Sequence, residues 1–382
     1  MPARRIFTEE HVAFRNAFRD FLEAEAVPHV AKWEAAGRVP AEFWRSAGAH
    51  GFIGFEASED LGGLGISDFR FNAIIAEEIA DSGTAGDSFA MANDIVGPYL
   101  FDYATPEQQR RWVPEFASGE TVAAIAMTEP GTGSDLARIT TTGRIDGDSI
   151  VINGSKTFIT NGLTADLVLV LVRSGTSSRA EMTLVAVEAG TPGFTRGPAL
   201  HKIGRKAQDT SELFFDDVRV PLANVVGEVG RAFDNVKRNL PRERLSIAIY
   251  GVASARRALR LAMEHASQRT TFGTPLREHQ VVLHQLAEMH TAIEVAQSHI
   301  DACIMALNDG ELSPEDASGA KYWATDLEFQ TIDRALQLFG GYGYMEEYPI
   351  ARMWRDARVQ RIYGGANDIM RDIVGRALIR GS

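Results

Sequence analysis

Cysteine is almost absent from this sequence of 382 residues, which contains only Cys303. No intramolecular disulfide can form, and nothing indicates an oxidising compartment. Long apolar runs are missing as well, because no stretch of about 18 apolar residues occurs. The two arginines of the opening segment MPARRIFTEEH are not followed by an apolar stretch either. We therefore expect neither a membrane span nor a secretory signal, and a soluble protein of the cytoplasm.

The sequence also has fewer basic than acidic residues, 39 compared with 51, which gives a formal net charge of −12. This balance argues against a nucleic-acid-binding surface built on summed positive charge, although it leaves room for local basic pockets that bind phosphates. His279, His284 and His290 stand five and six residues apart, which does not place them on one helix face. No metal site is predicted.

The glycine-rich motifs of the common nucleotide-binding folds are missing too. Neither GxGxxG nor GxxxxGK[ST] occurs, and GTGSDL at 131 to 136 lacks the third glycine. In the β-rich part of the chain no strand alternates with a helix of its own, so a doubly wound fold is not expected. A flavin or a nucleotide would have to bind in another manner.

The pattern of apolar residues divides the chain into three units, which predicts an α+β protein that is mostly α. Residues 1–120 show helical spacing and form an N-terminal helical domain. Residues 121–230 carry short β-branched runs between turn residues and form a middle β domain, barrel-like or a sandwich. Residues 231–382 return to helical spacing and form a C-terminal four-helix bundle.

The four predicted helices of the last unit differ in how clearly their ends are marked. The first begins around 240–242 and ends at the QRTTFG break at 268–273, and the second covers roughly 276–306. The third has Ser313 as its N-cap, Pro314 at the first helical position and glycines at 340–341 to close it. A fourth follows position 367.

Two loops contain residue types that suit the binding of a flat ring or a phosphate. AMTEPGTGSD at 126–135 follows an apolar strand and concentrates hydroxyls and glycines, although taken alone it is better explained as a tight turn whose hydroxyls satisfy backbone groups. In KTFITNG at 156–162, Phe158 and Thr160 stand two residues apart and should share one face of a strand. A plain sheet pair leading into an Asn-Gly turn is the simpler interpretation of that fragment.

The combination of motifs resembles the acyl-CoA dehydrogenase family over essentially the whole chain. The matching segments are AMTEPGTGSD, KTFITNG, KAQDTSELFFDDVRVP, QRTTFG followed by EHQ, and QLFGGYGYMEEYPIARMWRDARVQRIYGGAND, in this order. The resemblance implies a homotetramer with one FAD per subunit. It also implies oxidation of an acyl-CoA to its trans-2-enoyl-CoA, with electrons passed to an electron-transfer flavoprotein.

Carried over by position, the resemblance implies a set of cofactor contacts, with Gln337 and Gly341 serving the FAD of a neighbouring subunit. These contacts are Met127, Thr128, Gly133, Ser134, Phe158, Ile159, Thr160, Arg269, Phe272, Gln280, Gln337, Gly340, Gly341 and Asn367. Many relatives carry Thr or Ser where this chain has Ala366, so Asn367 or Asp368 is expected to compensate, although the carboxylate of Asp368 is unfavourable beside a phosphate unless it faces away. Implied substrate contacts are Ser134, Arg244, Tyr250, Gly364 and Gly365.

The glutamate that serves as the catalytic base in many members is absent, because the chain reads Tyr363-Gly364-Gly365. Either the chain is a non-catalytic flavin- or CoA-binding subunit, or another carboxylate removes the α-proton. LPRERLSIA at 240–248 resembles the alternative arrangement of the long-chain and isovaleryl-type enzymes, in which the base is Glu243. We predict Glu243 as the base, with a raised pKa, and the backbone N–H of Gly364 or its neighbour as a donor to the thioester oxygen.

The predicted activity is therefore FAD-dependent dehydrogenation of a long-chain or branched-chain acyl-CoA. An acyl-CoA oxidase, in which oxygen reoxidises the flavin, shares the first half-reaction and stays open as an alternative. Ile247, Tyr250 and Gly251 follow Glu243 on one helix face, so the Tyr250 ring is a candidate limit on the length of the acyl tunnel. Arg244 is either a CoA contact or part of a structural ion pair, and the former is preferred.

Overall fold

The computed structural model describes residues 4–84, 87–175 and 181–380. Its first unit is helical, as the sequence predicted, and a cluster of aromatic side chains that includes Phe18, Phe52 and Phe89 forms its core. The helices of this unit are α1 (Glu9–Glu25), α2 (Val30–Ala36), α3 (Ala41–Ala49), α4 (Arg70–Ser82), α5 (Asp87–Ala90), α6 (Gly97–Asp102) and α7 (Pro106–Ala117). Between α5 and α6 the chain forms a π-helical segment, Met91–Val96.

The middle unit is a β-sheet with strand order β6-β7-β3-β2-β4-β5-β8, and β1 pairs with β4 in parallel. Its strands are β1 (Ala123–Ala126), β2 (Thr142–Asp146), β3 (Ser149–Thr160), β4 (Leu167–Arg173), β5 (Met182–Glu188), β6 (Phe194–Ala199), β7 (Thr210–Pro221) and β8 (Val225–Val226). One residue pair, Thr142 with Arg173, joins the two halves between β2 and β4.

Strand β4 has both of its faces buried, which shows how the sheet of the middle unit encloses a core. Successive side chains of a strand point to opposite faces, and here the two sets are buried in different clusters. Leu169 packs with the N-terminal helices, whereas Val170 packs with Ile150 of β3 and Phe215 of β7. The two halves of the sheet therefore enclose a common core, and the opposite face of β4 binds the first unit.

The last unit contains four long helices and a short one. They are α8 (Ala232–Gln268), α9 (Gln280–Asn308), α10 (Pro314–Phe339), α11 (Pro349–Ala357) and α12 (Asn367–Arg380); a hairpin of β9 (Thr270–Thr271) and β10 (Thr274–Pro275) joins the first two. The Ser313 hydroxyl accepts a hydrogen bond from the N–H of Asp316, and Gly340 has φ +59° after α10. The predicted limits of the third helix are thus confirmed.

Helix α8 begins eight residues earlier than the sequence suggested, because the helix continues through Pro241. A proline has no N–H, so only one helical hydrogen bond is lost there. The helix runs through the centre of the protein: Leu245 and Ile249 pack with Ala73 of α4 and with residues of α9 and α10. A residue on α8 can therefore face elements of more than one unit.

Candidate active site

Helix α8 brings Glu243 next to the turn that precedes α12. A Cβ placed on Gly364 would lie 3.7 Å from Oε1 of Glu243 and 2.3 Å from Cδ1 of Ile247. The backbone of Gly364 has φ +62°, a conformation that favours glycine. The two predicted catalytic positions are thus neighbours, and the space that a side chain at 364 would need is occupied by Ile247.

The Glu243 carboxylate is partly buried and receives no hydrogen bond from any side chain or backbone group in the described ranges. Burial raises its pKa above the ordinary value, while the positive charges of Arg244 and Lys321 oppose the rise and the negative charge of Asp94 adds to it. An unpaired carboxylate with a raised pKa is suited to accept a proton from a bound molecule.

The turn beside Glu243 presents consecutive free backbone donors. Gly364 and Gly365 have φ values of +62° and +97°. Nε of Arg244 donates to the carbonyl oxygen of Gly364 at 3.4 Å, and Nζ of Lys321 donates to that of Gly365 at 2.8 Å. Within the part of the chain that the structure describes, no group accepts a hydrogen bond from the N–H of Gly364, Gly365 or Ala366. Such a run of amides can bind an oxygen that carries negative charge.

Arg244, which is expected to contact CoA or to form an ion pair, lies against the turn that contains Gly364. Only 7% of the residue is exposed, and besides Gly364 its guanidinium donates to the hydroxyl of Ser318 at 3.1 Å. Burial lowers its pKa, and the nearby Glu243 carboxylate opposes that change. In this subunit Arg244 supports the turn from inside the protein and is not displayed on its surface.

Asn367, which was expected to compensate for Ala366 as a cofactor contact, is buried against α10. Its side-chain oxygen accepts from Lys321 at 2.9 Å, and its amide group donates to Thr325 at 2.9 Å and to Asp326 at 3.1 Å. The oxygen and the amide group of the Asn367 side chain therefore both form their hydrogen bonds within the subunit. Any contact between Asn367 and a cofactor has to come from its backbone.

The loop at 126–135 is anchored by a buried ion pair that was not predicted from the sequence. Oε1 of Glu129 lies 2.9 Å from Nζ of Lys156, and both side chains are almost fully inaccessible. Burial would raise the pKa of Glu129, but hydrogen bonds from Thr141, Lys156 and Thr140 outweigh it and lower that pKa to about 2. A carboxylate held in this way fixes the start of the loop.

The predicted contacts of this loop are accessible while its anchor is buried. Gly133 and Ser134 are exposed, and Met127 and Thr128 are partly exposed. A Cβ on Gly133 would meet no atom within 4 Å, so the space beside the loop is open. The loop therefore offers hydroxyl and amide groups to a polar ligand at the edge of the sheet.

The strand that carries Phe158 departs from regular alternation. A register shift between Lys156 and Ile159 marks a β-bulge, and Phe158 within it has φ +59°. From Phe158 to Thr160 the burial still alternates, with Phe158 exposed, Ile159 buried and Thr160 partly exposed. The bulge leaves the Phe158 ring 69% exposed and turns Ile159 into the core of the sheet, with 3% exposure. Ile159 can meet a cofactor only through its backbone.

A second group of predicted cofactor contacts lies together at the far end of α8. Arg269, Gln337, Gly340 and Gly341 line one cavity of about 430 Å³. Glu243 and the last residue of α8, Gln268, are 25 residues apart, or about 37 Å along the helix at ~1.5 Å per residue. Within one subunit, this second group of predicted contacts is therefore well separated from Glu243.

The hairpin beside this cavity displays Phe272 completely. Phe272 and Gly273 form its two-residue turn with φ values of +51° and +79°, the combination that a type I′ turn requires. The left-handed conformation is unfavourable for a phenylalanine, and the ring is 101% exposed, so nothing in the subunit stabilises it. Gln280, the first residue of α9, is exposed nearby in sequence.

Tyr250, the proposed limit of the acyl tunnel, lines a different cavity, where the three units meet. The guanidinium of Arg205 stacks on its ring at 4.7 Å, and Ser254 and Arg257 of α8 line the same cavity. Gly251 faces α10, since a Cβ there would lie 3.2 Å from the carbonyl oxygen of Ala324. Of the two positions, only Tyr250 borders open space.

A buried carboxylate near Glu243, that of Asp94, was not predicted from the sequence. Asp94 of the π-helical segment accepts hydrogen bonds from Asn72, at 2.7 Å, and from Ser246. Burial raises its pKa to about 6, opposed by Arg242 and by those hydrogen bonds. Ser246 stands three residues after Glu243 on α8, and this spacing could have indicated a polar side chain next to Glu243 on the same helix face. Nothing in the sequence around Asp94 indicated its burial.

The described ranges contain no group of three or more His, Cys, Asp or Glu side chains that could hold a metal ion. None of the helices in the described ranges is long and apolar enough to cross a membrane.

Comparisons with known proteins agree with this fold. Family models for the N-terminal, middle and C-terminal domains of acyl-CoA dehydrogenases match residues 8–120, 124–218 and 230–379. The long-chain specific acyl-CoA dehydrogenase of Sus scrofa is 43% identical over 379 residues, which are 98% of this chain and 88% of that protein. The chain belongs to the acyl-CoA dehydrogenase family, whose members are oxidoreductases that act on acyl-CoA.

Solved structures extend the comparison to the whole fold. An acyl-CoA dehydrogenase from Geobacillus kaustophilus is 44% identical, with a TM-score of 0.96 over 98% of this chain and 100% of that one. An acyl-CoA dehydrogenase from Bacillus anthracis, solved in complex with FAD, is 29% identical, with a TM-score of 0.92 over 98% of this chain and 68% of that one.

Proposed function

We propose that this protein uses FAD to convert a long-chain or branched-chain acyl-CoA into its trans-2-enoyl-CoA and passes the electrons to an electron-transfer flavoprotein. The observation that carries the proposal is the position of Glu243. Its carboxylate is unpaired within the described ranges, has a raised pKa and lies beside Gly364, where many members of the family carry their base. In this proposal the base is a carboxylate on α8, whose Oε1 lies 3.7 Å from the Cβ that a side chain at 364 would have.

The residues around the proposed site fit a flavin. The Phe158 ring is held outside the sheet by a bulge, and open space surrounds Gly133 in the adjacent loop. We assign the flavin to this edge of the middle unit, with Thr128, Ser134 and Thr160 as its polar contacts. When bound, FAD accepts a hydride from the β-carbon of the acyl chain.

In the proposed reaction Glu243 removes the α-proton, and the free amides at 364–366 bind the thioester oxygen, on which negative charge develops. Both groups act on one substrate because α8 and the turn are in contact. The α-carbon of a thioester is a weak acid, so neither group would be sufficient alone. The raised pKa makes the carboxylate a stronger base than an exposed glutamate.

A homotetramer forms the second part of the proposal. Arg269, which follows the last residue of α8, and Gln337 of α10 line one cavity at the end of α8 far from Glu243, and we assign this cavity to the FAD of a neighbouring subunit. The exposed Phe272 ring and the neighbouring cavity are then surfaces that a second subunit and its cofactor cover. A protein that purifies as a colourless monomer and cannot be reconstituted with FAD would contradict this arrangement.

The proposed activity is tested by anaerobic titration of the purified protein with acyl-CoAs of graded length and branching. Loss of flavin absorbance with formation of trans-2-enoyl-CoA is expected, and its absence with every substrate would favour a non-catalytic subunit. Reoxidation by a purified electron-transfer flavoprotein should be fast, and reoxidation by oxygen slow. Hydrogen peroxide production at matching turnover would identify an acyl-CoA oxidase instead.

A further inference from the structure

Lys321 of α10 is completely buried, with 0% exposure, and points at the active-site turn. Its ammonium group donates to the carbonyl oxygen of Gly365 at 2.8 Å and to Oδ1 of Asn367 at 2.9 Å. Within the described ranges no carboxylate forms a salt bridge with it. Removing an ammonium ion from water costs several kcal/mol, so a buried lysine that has only neutral partners calls for an explanation.

The two carbonyls held by buried cations determine where the neighbouring amides point. In a trans peptide the C=O of one residue and the N–H of the next point in opposite directions. Because Arg244 binds the carbonyl of Gly364 and Lys321 binds that of Gly365, the N–H groups of Gly365 and Ala366 are turned away from the cations. Without these contacts two consecutive glycines would have many conformations available.

We propose that Lys321 is a positioning residue for the reaction: it fixes the turn at 364–366 so that its free amides meet the thioester oxygen, and its charge favours the enolate that forms there. This inference rests on the proposed function, since it assigns the turn to the thioester. Lys321 acts through the backbone of Gly365 and does not touch the substrate.

The charges around Lys321 are set by the elements packed against it. Arg244 comes from α8, Glu243 from the same helix, Asp326 from α10 itself and Arg361 from the segment before the turn. Burial and the positive charge of Arg244 lower the pKa of Lys321 to about 7, while Asp326 and Glu243 oppose the change. In mildly acidic solution the ammonium is therefore charged and favours the ionised form of Glu243.

The test uses the FAD-loaded enzyme and an acyl-CoA analogue with sulfur in place of the β-methylene group. Such an analogue can lose its α-proton but has no β-hydride to transfer, so exchange of that proton with D₂O isolates the step that Lys321 supports. Lys321→Met should slow the exchange roughly 10- to 100-fold, less than the 10²- to 10³-fold loss typical when an oxyanion donor is removed directly. Lys321→Gln keeps a donor and should recover part of the rate.

A second readout separates the charge from a purely structural role. Loss of the positive charge should raise the pKa of Glu243, so the pH below which exchange fails should move upward in both variants. Lys237→Met, at an exposed lysine of α8, is the matched control and should leave the rate and the pH profile unchanged.

The inference is overturned if a folded, FAD-containing Lys321→Met protein exchanges the α-proton at the parent rate with an unshifted pH profile. If that variant does not fold, Lys321→Gln decides the question by its pH profile alone: an upward shift supports the inference and an unchanged profile overturns it. Failure of the parent enzyme to exchange the proton or to be reduced by any acyl-CoA would instead refute the proposed function.

Discussion

Replacing Glu243 by glutamine removes the proposed proton acceptor and changes little else in the structure. The carboxylate has no hydrogen-bond partner in the described ranges, and a neutral amide is easier to bury than a carboxylate. The folded state should therefore be as stable as that of the parent or slightly more stable. Asp94 cannot take over as the base, because Asn72 and Ser246 already bind both of its oxygens.

The rate of flavin reduction should fall by several orders of magnitude. General-base assistance typically contributes about 10²- to 10⁴-fold, and a 10⁴-fold loss corresponds to about 5 kcal/mol in the activation barrier. We expect a loss beyond this range, since the partly buried site offers no second base. In the parent the rate should decrease as the pH falls through the raised pKa of Glu243, which lies above the ordinary value for glutamate.

Single-turnover stopped flow under anaerobic conditions measures this step directly, through the flavin absorbance after mixing with acyl-CoA. FAD content and affinity for the enoyl-CoA product should change little. Glu10→Gln, at an exposed glutamate of α1, is the matched control and should react like the parent. A Glu243→Gln enzyme that reduces its flavin as fast as the parent would show that another group removes the proton.

Three further outcomes are expected. Adding Gly364→Glu to the Glu243→Gln enzyme should restore part of the rate of flavin reduction. Adding Ile247→Ala as well should increase that recovery, because Ile247 occupies the space that a side chain at 364 needs; stopped flow measures both rates. Denaturant titration should find Glu129→Gln less stable than the parent by about 3–5 kcal/mol, since the variant leaves Lys156 buried without its partner. Because the pKa of Glu129 is lowered to about 2 in the folded parent, the difference in stability between parent and variant should decrease as the pH falls from about 4.5 towards 2. Phe272→Gly should leave the unfolding temperature of the apoprotein unchanged or raise it, yet reduce FAD retention, because glycine suits φ +51° and the ring has no contact within its subunit.

The sequence predicted the features that depend on periodicity and on helix ends. The alternation of helical and β-rich segments gave the three units, and the Ser-Pro start with a glycine end gave α10 to the residue. The start of α8 was placed too late, since the helix begins at Ala232 and continues through Pro241. A single proline costs a helix about 3 kcal/mol, and the packing of Leu245 and Ile249 evidently outweighs that cost.

Buried charge and local backbone distortion could not be predicted in the same way. A lysine or a glutamate in a sequence is most often solvated, so Lys156, Glu129 and Lys321 gave no signal of their burial. The bulge at Phe158 arises from pairing with β7, which is distant in sequence. That Glu243 and Gly364 lie close to each other was predicted only because the chain resembles a family in which either position can carry the base.

The position of the base also determines how firmly it is held. A carboxylate at 364 would stand in a turn where two residues have positive φ, and groups on loops are positioned less well than groups on helices. Glu243 stands on α8, where the neighbouring Arg244 and Leu245 are buried. The same arrangement leaves the turn with backbone amides as its only contribution, which a glycine supplies as well as any residue. Loss of the side chain at 364 is therefore compatible with a working site, provided that the buried cations keep the turn in place.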